Sequence, residues 1–163
     1  MIDVQLTGVD AEMNALLAEV ARVEQEGVAE VKRATRIVLN ALMANTPVWS
    51  GETIAAYGIG LNQVGTGAAG YYGGPPGDTA WPRGLGGEAN RPGAEGVARS
   101  NIEGVLAPMT RLVSVHFGNG VSSGKWDLID AGEAPRPGAA RNPAGVQKPA
   151  EVLARSQLGE NFR

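Results

Sequence analysis

The sequence predicts an α+β fold: a long N-terminal helix packed on a small, mainly antiparallel sheet, with a long arm and a C-terminal tail. Three observations predict it. Residues 11–44 are amphipathic, residues 111–117 alternate between apolar and polar, and residues 62–104 between them are rich in glycine and proline. The length of 163 residues fits a single domain, 1–163, in which residues 62–104 form the extended arm and residues 131–163 form the tail.

Apolar residues recur at steps of three and four from Met13 to Leu42, and the opposite face is charged. This spacing predicts a helix that buries one side. Gly27 weakens the run by about 1 kcal/mol relative to alanine and marks either a bend or a split into two helices. Pro47 disfavours helical geometry at Thr46, so we expect the helix to end there.

Alternation in residues 111–117 predicts a strand whose inward side chains are Val113, Val115 and Phe117. Weaker patterns predict the other elements. These are strands at residues 2–6, 53–61 and 126–130, the last as a partner of 111–117, a turn at 118–120 and a short helix within the tail at 149–158.

The arm holds little that can build a core. Eleven glycines and four prolines lie between Gly65 and Gly96, and ordering so much glycine carries a large entropic cost. Aromatic residues in such a segment have nothing local to pack on. We therefore expect Tyr71, Tyr72 and Trp81 to dock on a neighbouring subunit; the alternative is a disordered or self-folded loop. Further candidates for inter-subunit contact are Trp126, Arg136 and Arg141.

Charge is distributed unevenly along the chain. The net charge of −3 argues against general affinity for nucleic acids. Residues 1–30 hold seven carboxylates and one cation, Arg22, whereas residues 131–163 hold five cations and three carboxylates. The acidic front and the basic tail either pair between subunits or are both solvated surface.

Motifs for chemistry are sparse. Residues 65–70 match G-x-G-x-x-G, but the YYGGPP sequence that follows cannot open the helix that a dinucleotide site needs. The chain has no cysteine and a single histidine, His116, which excludes a thiolate or polyhistidine metal site. Ser114 lies near His116 on the same face of the predicted strand, within reach as a nucleophile beside a base. Asp127 and Asp130 are disfavoured as the paired carboxylates of a hydrolase, because they fall on opposite faces of another predicted strand. We expect no catalytic, cofactor or metal site.

Four segments carry a family resemblance. In the first, a predicted strand at residues 2–4 precedes a long helix that ends in ANTP. In the second, residues 47–53 (PVWSGET) are similar to the pattern P-V-D-T-G-x-L. In the last two, residues 115–119 (VHFGN) are similar to a strand ending in E-F-G-T, and residues 134–137 (APRP) are similar to P-R-P-F. With these motifs the chain resembles the HK97 gp10-like tail-component family of tailed bacteriophages. It departs from the family pattern at Trp49, His116 and Gly138, and in the length of its arm.

The resemblance implies a virion structural protein of the neck or tail region, assembled in the host cytoplasm and without catalytic residues. Its partners would be copies of itself in a ring, a hexamer or dodecamer, together with neighbouring neck, portal-adaptor or tail proteins. DNA would pass through the channel without specific binding. The role as adaptor, stopper, tail completion or terminator protein stays open.

Two other classes of function remain alternatives. One is a small hydrolase that uses Ser114 and His116, and the other is a binding module with a flexible glycine-rich linker. Residues 1–6 do not read as a secretory signal, and no stretch approaches the roughly 18 apolar residues of a membrane span. We therefore expect no membrane contact.

Overall fold

A computed structural model of the chain describes residues 9–48, 51–63, 70–72, 87–121, 123–133 and 142–159. It confirms the predicted α+β fold. The elements are α1 (Val9–Asn45), α2 (Glu52–Ala55), β1 (Tyr57–Gln63), β2 (Gly70–Tyr72), a 3₁₀ turn (Gly87–Asn90), α3 (Arg91–Leu106), β3 (Val113–Asn119), α4 (Ser123–Asp130) and α5 (Gln147–Leu158). The predicted strand at residues 2–6 lies outside the described residues.

Helix α1 is a single element of 37 residues, so the split considered at Gly27 does not occur. Gly27 instead allows Leu112 to approach the helix closely. A Cβ atom built at Gly27 would lie 2.9 Å from Cδ2 of Leu112. Glycine at this position lowers helix propensity, but it permits a close contact between α1 and the segment that leads into β3.

The C-terminal end of α1 is capped by side chains from distant parts of the chain. The Arg91 guanidinium donates hydrogen bonds to the carbonyl oxygens of Met43 (2.8 Å) and Thr46 (3.2 Å), and Asn142 Nδ2 donates to that of Asn45 (2.9 Å). The last carbonyls of a helix have no partner within it. These bonds satisfy the carbonyls of Met43 and Asn45 and fix α3 and the start of the α5 region relative to α1.

The sheet has the strand order β2-β1-β3, and both pairs are antiparallel. β1 is the central strand: Ile59 pairs with Tyr72 on one side and with Phe117 on the other. The predicted alternation in β3 is confirmed, because Val113, Val115 and Phe117 are half-buried and pack against the core, while Ser114 and His116 are exposed.

Two predicted strands are wrong in part or in whole. Residues 52–55 form helix α2, and β1 begins only at Tyr57. Gly51, at φ +86°, turns the chain so that α2 packs on α3. Residues 126–130 belong to helix α4 rather than to a partner strand of β3, whose partner is β1. Trp126 and Ile129, three positions apart, pack on the core, which is helical spacing.

The predicted arm is also wrong over residues 91–104, which lie in helix α3. Small and apolar residues at steps of four, Ala94, Ala98, Ile102 and Leu106, are buried against the chain's own core. Gly96 and Gly104 have nothing within 4 Å of an added Cβ, so they do not interrupt packing. Residues 70–72 form the outer strand β2 of the described sheet, and residues 64–69 and 73–86 of the arm lie outside the described residues. Glycine content alone therefore predicted too long an arm, because part of that segment packs on the core of the same chain.

The core lies between the second half of α1, the sheet, α3 and α5. Among the described residues, Tyr57 is the largest fully buried side chain. Its hydroxyl lies 2.7 Å from Oγ1 of Thr46, which itself donates to the carbonyl of Leu42 at 2.8 Å. Because the Thr46 proton is used in that bond, the Tyr57 hydroxyl is the donor. The pair satisfies both buried hydroxyls, as burial of polar groups requires.

Burial of the hydroxyl, which disfavours the charged phenolate, raises the pKa of Tyr57 well above its ordinary value. The folded protein therefore keeps the phenol protonated at a pH where the unfolded chain loses that proton. Above a pH of about 10, we expect this residue to lower the free energy of unfolding by up to about 1.4 kcal/mol per pH unit. Urea unfolding between neutral and alkaline pH measures the effect. A Tyr57→Phe variant with the same alkaline slope as the wild type would contradict it.

Candidate functional site

The first half of α1 carries an exposed apolar surface. Its side chains are between 52% and 60% exposed, and they recur at steps of three and four. We call them the apolar stripe: Met13, Leu16, Leu17, Val20 and Val23. Such spacing places them on one face of the helix. Isolated apolar residues on a surface need no partner, whereas a contiguous patch of several hundred Å² usually has one.

The stripe continues the side of α1 that faces the core. At roughly 100° per residue, it projects in the same direction as Val31, Val38 and Leu42, which pack on the body. Every residue from 11 to 23 is exposed, and Val28 is the first buried residue from position 11 onward. The first half of α1 therefore extends about 25 Å beyond the body. The periodicity correctly predicted the helix, but not that half of its apolar face would be exposed.

The opposite side of this overhang is charged. Arg22 forms ion pairs with Glu19 and Glu26, both at 2.5 Å, and its hydrogen bond lowers the pKa of Glu19. All three side chains are more than half exposed. This face is suited to water, so the apolar stripe is the side of the overhang that gains from contact with another surface.

A groove of about 490 Å³ lies on the body between α1 and α5. We call it the α1–α5 groove. Apolar and aromatic side chains form most of its lining, and the polar side chains come mainly from the exposed side of α5. The residues are Val38, Leu42, Tyr57, Phe117, Gly118, Asn119, Trp126, Gln147, Ala150, Glu151, Ala154, Arg155 and Leu158.

Trp126 is the predicted contact residue that the structure places at this groove. It is half-buried, and its ring meets Tyr57 edge-on with centroids 5.9 Å apart and planes at 84°. Tyr71 and Tyr72 lie in β2, where the backbone of Tyr71 pairs with Gly60. Trp81, Arg136 and Arg141 lie outside the described residues.

Helix α5, one wall of the groove, is held by a cap that sequence reasoning missed. Oδ1 of Asp130, at the end of α4, accepts hydrogen bonds from the backbone N–H groups of Val146 (3.2 Å) and Gln147 (2.7 Å). A carboxylate at a helix N-terminus satisfies unpaired donors and complements the helix dipole. No local sequence signal indicates this cap, because Asp130 lies sixteen positions before Val146 instead of next to the helix.

The two residues of the hydrolase alternative lie elsewhere. Ser114 and His116 are on the exposed side of β3, in register with Asn62 and Gly60 of β1, and neither lines the groove. Within the described residues, no group of three histidine or acidic side chains is placed to hold a metal ion.

Comparison with protein-family models, with curated proteins and with solved structures finds no match to this chain. In the parts of the chain that the structure describes, no helix combines the length and the apolar character needed to cross a bilayer. The apolar stripe and the α1–α5 groove are thus the two surfaces from which a function can be argued.

Proposed function

We propose that this chain is a self-assembling structural protein whose copies form a closed ring in the neck or tail-completion region of a tailed phage or a phage-like particle. The single observation that carries self-assembly is the apolar stripe, which the described body of one chain leaves exposed. A soluble protein rarely presents such a continuous patch without a partner.

The energy available from the stripe is sufficient for association. Burying a Leu, Val or Met side chain fully is worth roughly 1.5–3 kcal/mol, and each of the five residues still has about half of that burial to gain. The sum, on the order of 4–7 kcal/mol before the cost of association, makes the stripe a substantial part of an interface.

The placement in a phage neck rests on the motifs. The segment that begins at Pro47 joins α1 to α2, where Gly51 has a left-handed backbone at φ +86° and a Cβ would lie 2.9 Å from Cβ of Ala94. The glycine of the family pattern thus occurs here at a position that favours glycine. The segment at residues 115–119 ends strand β3. Both motif segments coincide with structural boundaries.

The proposed partners follow from the same placement. Copies of this chain form a hexameric or dodecameric ring, and neighbouring neck, portal-adaptor or tail proteins stack on it. The charged side of α1 suits a surface beside DNA that must pass without binding, because an acidic lining repels phosphates. The protein then works in the virion after assembly in the host cytoplasm.

Native mass spectrometry combined with negative-stain electron microscopy of the purified protein tests the proposal. We expect one dominant mass at six or twelve times that of the chain, and annular particles. A protein that stays monomeric at the highest concentration reached, or that forms open filaments of variable length, would contradict a closed ring.

A further inference from the structure

We infer that the apolar stripe of one copy docks in the α1–α5 groove of the next copy. This inference rests on the proposed self-assembly and deepens it, because it names the two surfaces that meet. Both are present on every chain, and they differ in shape: one is a convex helix face and the other is concave.

The stripe of a chain cannot fill the groove of that same chain. Val20 lies at the centre of the stripe, whereas Val38 and Leu42 line the groove on the same continuous helix. At 1.5 Å per residue these positions are about 30 Å apart along a rigid element. Any contact between the two surfaces must therefore join different copies.

The shapes agree with a recurrent mode of recognition in which an amphipathic helix lays its apolar face into a groove. That mode uses anchors at positions i, i+3, i+4 and i+7. Met13, Leu16, Leu17 and Val20 have this spacing. In the groove, the side chains of Phe117, Trp126 and Leu158 provide the apolar and aromatic surface that such anchors need.

Charge favours this arrangement over stripe-to-stripe packing. Residues 9–26 of α1 carry five carboxylates against one guanidinium, whereas α5 as a whole carries Lys148 and Arg155 against Glu151. The two charged residues that line the groove, Arg155 and Glu151, are paired with each other at 2.9 Å, so the charges of the lining balance. An acidic helix that enters this groove meets less repulsion than it would from a second acidic helix, which disfavours packing of one stripe directly on another.

The contact has a consequence for the symmetry of the assembly. A stripe that packs on a second stripe uses one surface twice and stops at a dimer. A stripe that enters a groove uses two different surfaces, so each copy binds two neighbours and a ring can close. Stripe-to-groove docking therefore supplies the heterologous contact that the proposed ring requires.

A mixing experiment with two variants tests the inference. The stripe variant, Leu16→Glu with Val20→Glu, keeps its groove; the groove variant, Leu158→Glu, keeps its stripe. We expect each alone to be monomeric, with association weakened at least 100-fold. Mixed in equal amounts, they have one intact stripe and one intact groove, so we expect heterodimers in native mass spectra and no larger species.

Matched controls carry the same charges away from both surfaces. Ala15→Glu with Ala18→Glu lies on the exposed opposite side of α1, and Gln157→Glu is exposed next to Leu158. Both should assemble as the wild type does. A mixture that stays monomeric, or a groove variant that assembles normally, would overturn docking in the groove while leaving self-assembly intact. A monomeric wild type would contradict the proposed function itself.

Discussion

Replacing Gly145 with alanine is expected to destabilise the protein by about 3 kcal/mol or more, and to lower its melting temperature by roughly 10 °C. Gly145 has φ +75°, and a Cβ built there lies 2.2 Å from the carbonyl oxygen of Asp130. An L-residue in the left-handed region already costs about 1–2 kcal/mol. The collision adds to this cost because it is with backbone, which cannot rotate away.

The surrounding hydrogen bonds prevent an inexpensive shift. Asp130 ends α4, and its carboxylate caps the N-terminus of α5 through Val146 and Gln147. The N–H of Gly145 donates to the carbonyl of Asn142 at 2.9 Å. Moving the Gly145 backbone away from Asp130 therefore breaks the cap and displaces a wall of the α1–α5 groove.

Gly104→Ala is the matched control for this substitution. Gly104 lies in α3 with nothing within 4 Å of an added Cβ, so alanine there should stabilise the protein by about 0.5–1 kcal/mol. Chemical unfolding of the wild type and the two variants measures both effects. If Gly145→Ala proved as stable as the wild type, the placement of α5 on α4 described above would be wrong.

The stripe variant, Leu16→Glu with Val20→Glu, is expected to abolish assembly without unfolding the chain. Both residues are more than half exposed, so the isolated fold loses little when they become charged. In an interface, the variant forfeits about 1.5–3 kcal/mol of apolar burial and adds the desolvation of two carboxylates. Every 1.4 kcal/mol is a factor of ten in affinity, so association should weaken by at least roughly 100-fold.

Sedimentation over a range of concentrations measures this loss of association, and circular dichroism with thermal unfolding checks the fold. The variant with glutamate at positions 15 and 18 gains the same charge on the same helix, which controls for repulsion alone. A stripe variant that assembles at the wild-type concentration would remove the stripe from the interface.

Regular spacing of apolar residues made much of the fold predictable. The apolar steps from Met13 to Leu42 predicted α1, and Pro47 predicted its end, because both signals are local and strong. Alternation likewise predicted β3 and its inward side chains. Short apolar runs were less informative, and the predicted strand at residues 126–130 was wrong. This run satisfies both a strand and a helix pattern, and only tertiary packing decides between them.

Helix α3 was missed for a different physical reason. Its glycines at positions 93, 96 and 104 suggested a chain that cannot order itself. The stability of the helix depends instead on the side chains of its opposite face. Ala94, Ala98 and Ile102 form a narrow apolar seam that allows close packing. The sequence signal for this seam is its spacing, because Ala94, Ala98 and Ile102 recur at steps of four residues.

The candidate surfaces were less predictable than the fold. A periodic apolar face indicates that something covers it, but not whether the cover is the chain's own body or another molecule. That distinction depends on the point along α1 at which contact with the body ends. The contact between Gly27 and Leu112 marks this point, and it exists only in the folded chain. The groove is likewise formed by residues from α1, β3, α4 and α5 that are far apart in sequence.

Solvent accessibility of a single thiol on the stripe tests the central claim most directly. The chain has no cysteine, so a Val20→Cys variant has one thiol on the stripe, and Ala18→Cys provides an exposed reference on the opposite side of α1. In the assembled protein we expect alkylation at position 20 to be at least tenfold slower than at position 18, and the two rates to converge on dilution to monomers. Equal rates at both positions in the assembled protein would show that the stripe faces water, and would contradict the account.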